Sequence, residues 1–202
     1  MTGLYSFAPF DRSFRVRWLL KELDLPFDEQ VLDFQAGEQR QGPYLALNPF
    51  GKVPALALDD EALFESGAIM MRLLERFDTE GRLQVRPDQD GRDQYLSLYF
   101  HLCATLDPLV VSELVVGRKA RSQEEIATKL EVIKAQLAAL RPRLAAGSYL
   151  MGERFTVLDI LLGHMLGMLV GLGWVDEPLF LDYLARLAER PASQLKALDG
   201  LQ

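Results

Sequence analysis

Two short apolar runs, Ala55 to Leu58 and Ala62 to Phe64, flank the acidic pair Asp59 and Asp60. Short runs on either side of a turn-forming pair read as the arms of an antiparallel hairpin. Directly after it, Ile69, Met70, Leu73, Leu74 and Phe77 recur at helical spacing over Ser66 to Phe77, so the hairpin feeds a helix with one buried face. Upstream, Gly3 to Phe7 reads as a strand leading to a turn at Pro9. A helix follows with Val16, Leu19, Leu20 and Leu23 as its apolar stripe, Arg15, Arg17, Lys21 and Glu22 as flanks, and Pro26 as its stop. Gln30 to Phe34 is a second strand, followed by an irregular polar stretch from Gln35 to Gly42. The order strand, helix, strand, irregular segment, strand, strand, helix describes a parallel unit joined to an antiparallel hairpin.

Beyond a polar linker containing Gly81 and Pro87, only helical periodicity is visible. The expectation is an α/β thioredoxin-like domain over residues 1–80 and an all-α bundle over 88–202. Val157 to Leu172 is almost wholly apolar, and its length approaches the ~17 to 25 residues that span a bilayer. Asp159, His164 and three glycines interrupt it, and its neighbours read as soluble helices, so a buried central helix is expected. Thr156 with Asp159 three residues later forms an acidic capping box at its start.

The formal net charge is −7, from 22 basic and 29 acidic residues, which argues against nucleic-acid and anionic membrane surfaces. Cys103 is the single cysteine, so an internal disulfide and a CxxC redox pair are excluded, and a reducing, cytoplasmic setting is expected. The N-terminus does not read as a signal peptide.

The stretch Asn48 to Leu56, NPFGKVPAL, together with Glu65 to Ile69, ESGAI, carries the binding chemistry. Val53 precedes a proline and is held extended, and a cis bond at Pro54 would turn the Val53 backbone groups outward, where an extended peptide can pair with them. Glu65 and Ser66 open a helix, whose free N–H groups and dipole favour a carboxylate, while Glu65 can meet an ammonium. Lys52 offers a cation to a second carboxylate. The ligand implied is zwitterionic at one end, anionic at the other and peptide-like between.

On these residues the chain resembles the glutathione transferase superfamily, closest in pattern to its bacterial-type, theta/zeta-like serine classes. The resemblance implies that Val53 and Pro54 present the edge that pairs with the cysteinyl backbone of glutathione. Glu65 and Ser66 would hold the γ-glutamyl end and Lys52 the glycyl end. It also implies conjugation of the glutathione thiol to a small hydrophobic electrophile, with glutathione as co-substrate and no metal. Phe50 matches an aromatic key that several classes insert into the partner subunit, implying a homodimer; a local core role is the alternative. Gly152 to Asp159, GERFTVLD, resembles the family's helical-domain cap-and-Asp motif, which serves folding.

The thiol must be activated, because only the thiolate is a competent nucleophile. Family members supply a Tyr, Ser or Cys from the turn after the first strand. Aligned without gaps on Arg15, Val16 and Arg17, that serine or cysteine position falls on Phe10 and the tyrosine position on Ser6. The zeta class, similar across LYSFAPFDRSFRVR, has Ser-Ser-Cys where this chain has Phe10, Asp11 and Arg12, a departure that speaks against maleylacetoacetate isomerase activity. The candidate donors are Ser13 and then Ser6, with backbone N–H groups at the start of the helix as a further means. Phe10 also motivates a second reading, a non-catalytic interaction protein resembling the stringent starvation proteins. His101 and His164 make no ligand spacing with Cys103, so no metal is expected. Cys103 reads as a small buried residue, and Tyr95, Tyr99 and Cys103 fit either an electrophile pocket or a core stripe.

Overall fold

The computed structural model describes residues 2–193 and Leu195; Met1, Gln194 and residues 196–202, the tail of the expected bundle, lie outside the described residues. The chain divides into two compact units, Met1–Glu80 and Gly81–Gln202.

In the first unit the elements run β1 (Thr2–Ser6), α1 (Ser13–Glu22), β2 (Asp28–Val31), a 3-10 turn (Glu38–Arg40), α2 (Gly42–Leu45), β3 (Ala55–Leu58), β4 (Glu61–Phe64) and α3 (Ser66–Phe77). The sheet order is β2-β1-β3-β4. β1 pairs parallel with β2, Gly3 opposite Asp28, and antiparallel with β3, Thr2 opposite Leu58. The hairpin forms around Asp59, at φ 54°, and Asp60, with Leu58 opposite Glu61. Leu4, Leu56 and Leu58 of the sheet, Val16, Leu19 and Leu20 of α1, and Ile69, Met70, Leu73 and Leu74 of α3 are buried. Each such aliphatic side chain contributes about 1.5–3 kcal/mol when removed from water, so these three elements carry the core of the unit.

Four expectations are corrected. Arg15 and Arg17, read as flanks of the α1 stripe, are buried. For Arg17 the reason is Glu29 on β2, whose carboxylate accepts from Arg17 Nε at 2.8 Å and also from Nη2, while Arg17 Nη1 donates to the Pro9 carbonyl at 3.1 Å. The second strand covers Asp28–Val31 and not Gln30 to Phe34, because Asp33 Oδ1 accepts from the N–H groups of Gln35 and Ala36 and turns the chain away. Phe77 is half-buried, with the Arg76 guanidinium 5.1 Å from its ring centroid. The polar stretch read as irregular contains the Glu38–Arg40 turn.

The second unit holds α4 (Arg92–Phe100), two consecutive π-helical stretches (His101–Leu106 and Pro108–Val116), a 3-10 turn (Gly117–Ala120), α5 (Gln123–Ala138), α6 (Arg141–Ala146), α7 (Val157–Gly171) and α8 (Pro178–Ala188). α7 is buried continuously from Val157 to Leu169 and packs on α4, α8 and both π-helical stretches, as a central helix does. Its capping box is formed: Asp159 Oδ2 accepts from Thr156 N–H at 2.8 Å. Asp159 Oδ1 reaches beyond the helix to accept from Leu150 N–H at 2.9 Å and the Tyr183 hydroxyl at 2.8 Å. The segment after Glu80 is bound into this unit: Arg154 donates to the Gly81 and Gln84 carbonyls, and Val157 N–H donates to Leu83 O at 2.8 Å. Among the described residues, no helix is long and apolar enough to cross a membrane.

Candidate functional site

Register brings the sequence-predicted segments to one end of the sheet. Tyr5 lies opposite Ala55, and Ala55 opposite Phe64. The turn leaving β1, the Lys52–Pro54 segment entering β3 and the start of α3 after β4 therefore emerge side by side.

The Val53–Pro54 peptide is cis. Ahead of it the chain is pinned from below: the Lys52 carbonyl accepts from the Tyr44 hydroxyl at 2.5 Å and from Asn48 Nδ2 at 2.6 Å. Asn48 Oδ1 in turn accepts from Phe50 N–H at 3.1 Å, so one buried amide closes the turn at both ends. Burial pushes the Tyr44 hydroxyl up to about 12, which keeps it protonated as the donor this bond requires. Gly51 takes φ +59°, and a Cβ there would stand 2.9 Å from the Gln39 carbonyl oxygen. Lys52 is exposed and Val53 half-buried. Neither backbone polar group of Val53 has a hydrogen-bond partner among the described residues, which leaves a short strand edge open to an added peptide.

Glu65 stands at the N-cap of α3 with φ 65° and ψ 113°, exposed, and Ser66 is buried as the first helical residue. α3 has no acidic residue in its first turn and no side-chain cap. The start of that helix presents the positive end of its dipole, which favours a carboxylate.

The turn after β1 is arranged differently. Asp11 Oδ2 accepts from the N–H groups of Phe7 at 2.7 Å and Ala8 at 2.9 Å. Oδ1 accepts from Ser13 N–H at 2.7 Å and from the Ser13 hydroxyl. Ser13 is fully buried, its oxygen also accepts from Arg17 Nη2 at 3.3 Å, and its proton is committed to Asp11, which speaks against its donating to a ligand sulfur. Ser6 is buried as well, and its hydroxyl has no hydrogen-bond partner among the described residues. Phe10 is half-buried, its ring 6.3 Å from that of Phe14. Sequence reasoning passed over Asp11 as a departure from a serine run. The signal was present in the Asp-x-Ser spacing at a helix start, where a short carboxylate satisfies leading N–H groups.

Phe50 is 68% exposed and meets Phe64 edge-on at 5.5 Å, so it is not a core residue of its own unit. In the helical unit, Tyr95 and Tyr99 are buried core residues, Cys103 is half-buried and His164 is fully buried. Among the described residues no group of His, Cys, Asp and Glu is placed to hold a metal.

A four-stranded mixed sheet with a cis-proline ahead of β3, followed by an independent helical unit, is the thioredoxin-like class with a helical companion. Residues 2–74 match the family described as glutathione S-transferase, N-terminal domain. The chain is 31% identical over 202 residues to the glutathione S-transferase-like protein OpS6 of Beauveria bassiana, covering 94% of this chain and 91% of that protein. The solved glutathione transferase URE2P6 from Phanerochaete chrysosporium, in complex with oxidized glutathione, shares the fold with TM-score 0.85 at 23% identity, over 100% of this chain and 97% of that one. A glutathione transferase homolog from Sulfitobacter with bound glutathione gives TM-score 0.79 at 27% identity, over 100% and 99% of the two chains. The chain belongs to the glutathione S-transferase family.

Proposed function

We propose that this protein is a glutathione transferase that binds glutathione on its first unit and joins the sulfur to a small hydrophobic electrophile. The observation that carries the reading is the convergence of the open Val53 edge with the start of α3 at one sheet end. In this arrangement the cysteinyl backbone pairs with Val53 ahead of cis-Pro54. The γ-glutamyl carboxylate meets the first turn of α3 and the Ser66 hydroxyl, its ammonium meets Glu65, and Lys52 faces the glycyl carboxylate. Phe50, exposed beside Phe64, is the contact we assign to a second copy of the chain in a homodimer. The transferase names of the relatives favour this reading over a non-catalytic interaction protein. A theta/zeta-like serine class and a cytoplasmic location rest on the sequence pattern.

Calorimetry on the whole chain tests the site. Losing one charge-assisted contact of about 1.5–3 kcal/mol weakens binding roughly tenfold or more, so Glu65→Gln should lower glutathione affinity by that factor. Absence of glutathione binding, with no change in Glu65→Gln, refutes the proposal.

A further inference from the structure

β2 is an outer strand of the sheet, and all four of its residues, Asp28–Val31, are exposed. Leu32 N–H donates to the Ser6 carbonyl at 2.8 Å. The alternation of a parallel ladder therefore turns the backbone of Gln30 and Leu32 towards β1 and that of Glu29 and Val31 outwards. The outward N–H and C=O groups form an open edge, a template on which an extended chain can add a strand. Val31 on this edge and Phe34 just past it are large apolar residues, 63% and 62% exposed.

A cleft of about 240 Å³ lies alongside the strand, between Tyr5, Gln30 and Leu32 of the sheet side and Glu38, Tyr44 and Leu47 of the segment that carries α2. Sites for whole small molecules run to roughly 300–1,000 Å³, so this volume suits a single long side chain. Buried Leu32 and Tyr44 give it an apolar base, while Gln30 and Glu38 supply oxygens, a lining that matches the apolar stem and charged head of Lys or Arg. Neighbouring strands lie about 4.7–4.9 Å apart, so alternate side chains of a strand added beyond β2 would stand beside Gln30 and Leu32, at this cleft. The charge of the edge points to the same occupant. From Asp24 to Gln39 the sequence holds five carboxylates and no Lys or Arg. Arg17 is paired with Glu29, which leaves Asp24, Asp28, Asp33 and Glu38 to set the sign of the surface. A second copy of the chain would bring like charge against like, the device by which charged edges resist self-pairing, whereas a cationic strand is complementary.

We propose that the β2 edge is a protein-docking site, which takes an extended basic segment of a partner as a fifth strand with one Lys or Arg side chain in the cleft beside Gln30 and Glu38. Backbone pairing with Glu29 and Val31 sets the register and the cleft selects the cation. On the opposite face of the added strand, the neighbouring residue is apolar and lies against Val31. The partner segment thus alternates basic and apolar residues. The site belongs wholly to the first unit and uses none of Lys52, Val53, Pro54, Glu65 and Ser66.

The test is the fluorescence anisotropy of a labelled peptide of alternating arginine and valine, three of each, titrated with the whole protein. It should bind saturably, and a counterpart with glutamate in place of each arginine should not. A version N-methylated at its backbone amides keeps the charge but lacks the donors of a strand, and it should bind about tenfold more weakly or worse. On the protein, Val31→Pro removes an outward N–H and spares the bonds to β1, as proline on an edge strand does, and Glu38→Gln removes a charge from the cleft. Each should weaken binding about three- to tenfold. Absence of saturable binding, equal binding of the glutamate peptide or equal binding of the N-methylated peptide overturns the proposal. These three results are read on the wild type, so they stand even if a variant fails to fold. Variants that keep the wild-type melting temperature and bind the arginine peptide as tightly as the wild type also overturn it.

Discussion

Gly51 and Gly37 allow a backbone requirement to be separated from a steric one within a single stretch of chain. Both have positive φ, +59° and +74°, so alanine at either pays about 1–2 kcal/mol for a left-handed conformation. A Cβ on Gly37 meets nothing within 4 Å, whereas one on Gly51 lies 2.9 Å from the backbone oxygen of Gln39. That contact can be relieved only by moving main chain, and overpacking of this kind costs about 1–3 kcal/mol more. Gly51→Ala should therefore destabilise by about 2–5 kcal/mol and Gly37→Ala by about 1–2 kcal/mol. The entropy that alanine removes from the unfolded chain is the same in both, so it cancels in the comparison. Urea denaturation followed by the fluorescence of Trp18, fully buried in the first unit, reads the difference. Because Gly51 directly precedes Lys52, glutathione affinity should fall in Gly51→Ala and hold in Gly37→Ala. Equal destabilisation of the two variants, within about 0.5 kcal/mol, refutes the assignment of Gly51 to a steric constraint.

Two further predictions concern pH. Burial pushes the Asp159 carboxyl up to about 6 from 3.8, outweighing the hydrogen bonds it accepts from Leu150, Thr156 and Tyr183. The native state thus binds this proton more tightly, and the group's contribution to stability is present below about pH 4 and lost as pH rises through about 6. Denaturant titrations across that window should show a flatter profile for Asp159→Asn, and a slope equal to the wild type's would count against it. Burial also raises the Glu29 carboxyl, but the hydrogen bonds and the charge of Arg17 outweigh this and lower it from its ordinary value of 4.5. Its contribution is present above that value and lost as pH falls through the lower native one. Arg17→Met should cost about 2–4 kcal/mol at neutral pH and remove this part of the acid sensitivity; thermal melts as a function of pH that match the wild type would disprove it.

The parts of the fold that were legible in the sequence are those set by neighbours in the chain. Ala55–Leu58, the Asp59 turn and Ser66–Phe77 could be read because apolar spacing and turn residues act over a few positions. The Thr156 and Asp159 box was visible for the same reason, but its bond to Tyr183 was not, since that residue comes from α8. Arg17 looked like a surface flank because the carboxylate that draws it inward belongs to β2. At the candidate site, Val53, Pro54, Glu65 and Ser66 could be named from spacing. The hydrogen bonds of Tyr44 and Asn48 to the Lys52 carbonyl are a product of tertiary structure. Asp11 had a local signal in its Asp-x-Ser spacing at a helix start, but that it also gathers the Phe7 and Ala8 N–H groups is set by the course of the turn.

The bonds from Arg154 to the carbonyls of Gly81 and Gln84 bear on how this chain can be rebuilt. A hybrid that joins the sheet-bearing module of one relative to the helical module of another inherits whichever strap follows the crossover. If the crossover is placed late in the strap, near Pro87, the arginine of the new helical module faces carbonyls from a foreign sequence. Placed directly after Glu80, it carries the strap and its clasp across together. The natural seam for module exchange is therefore at the end of α3, ahead of the glycine and proline that punctuate the sequence.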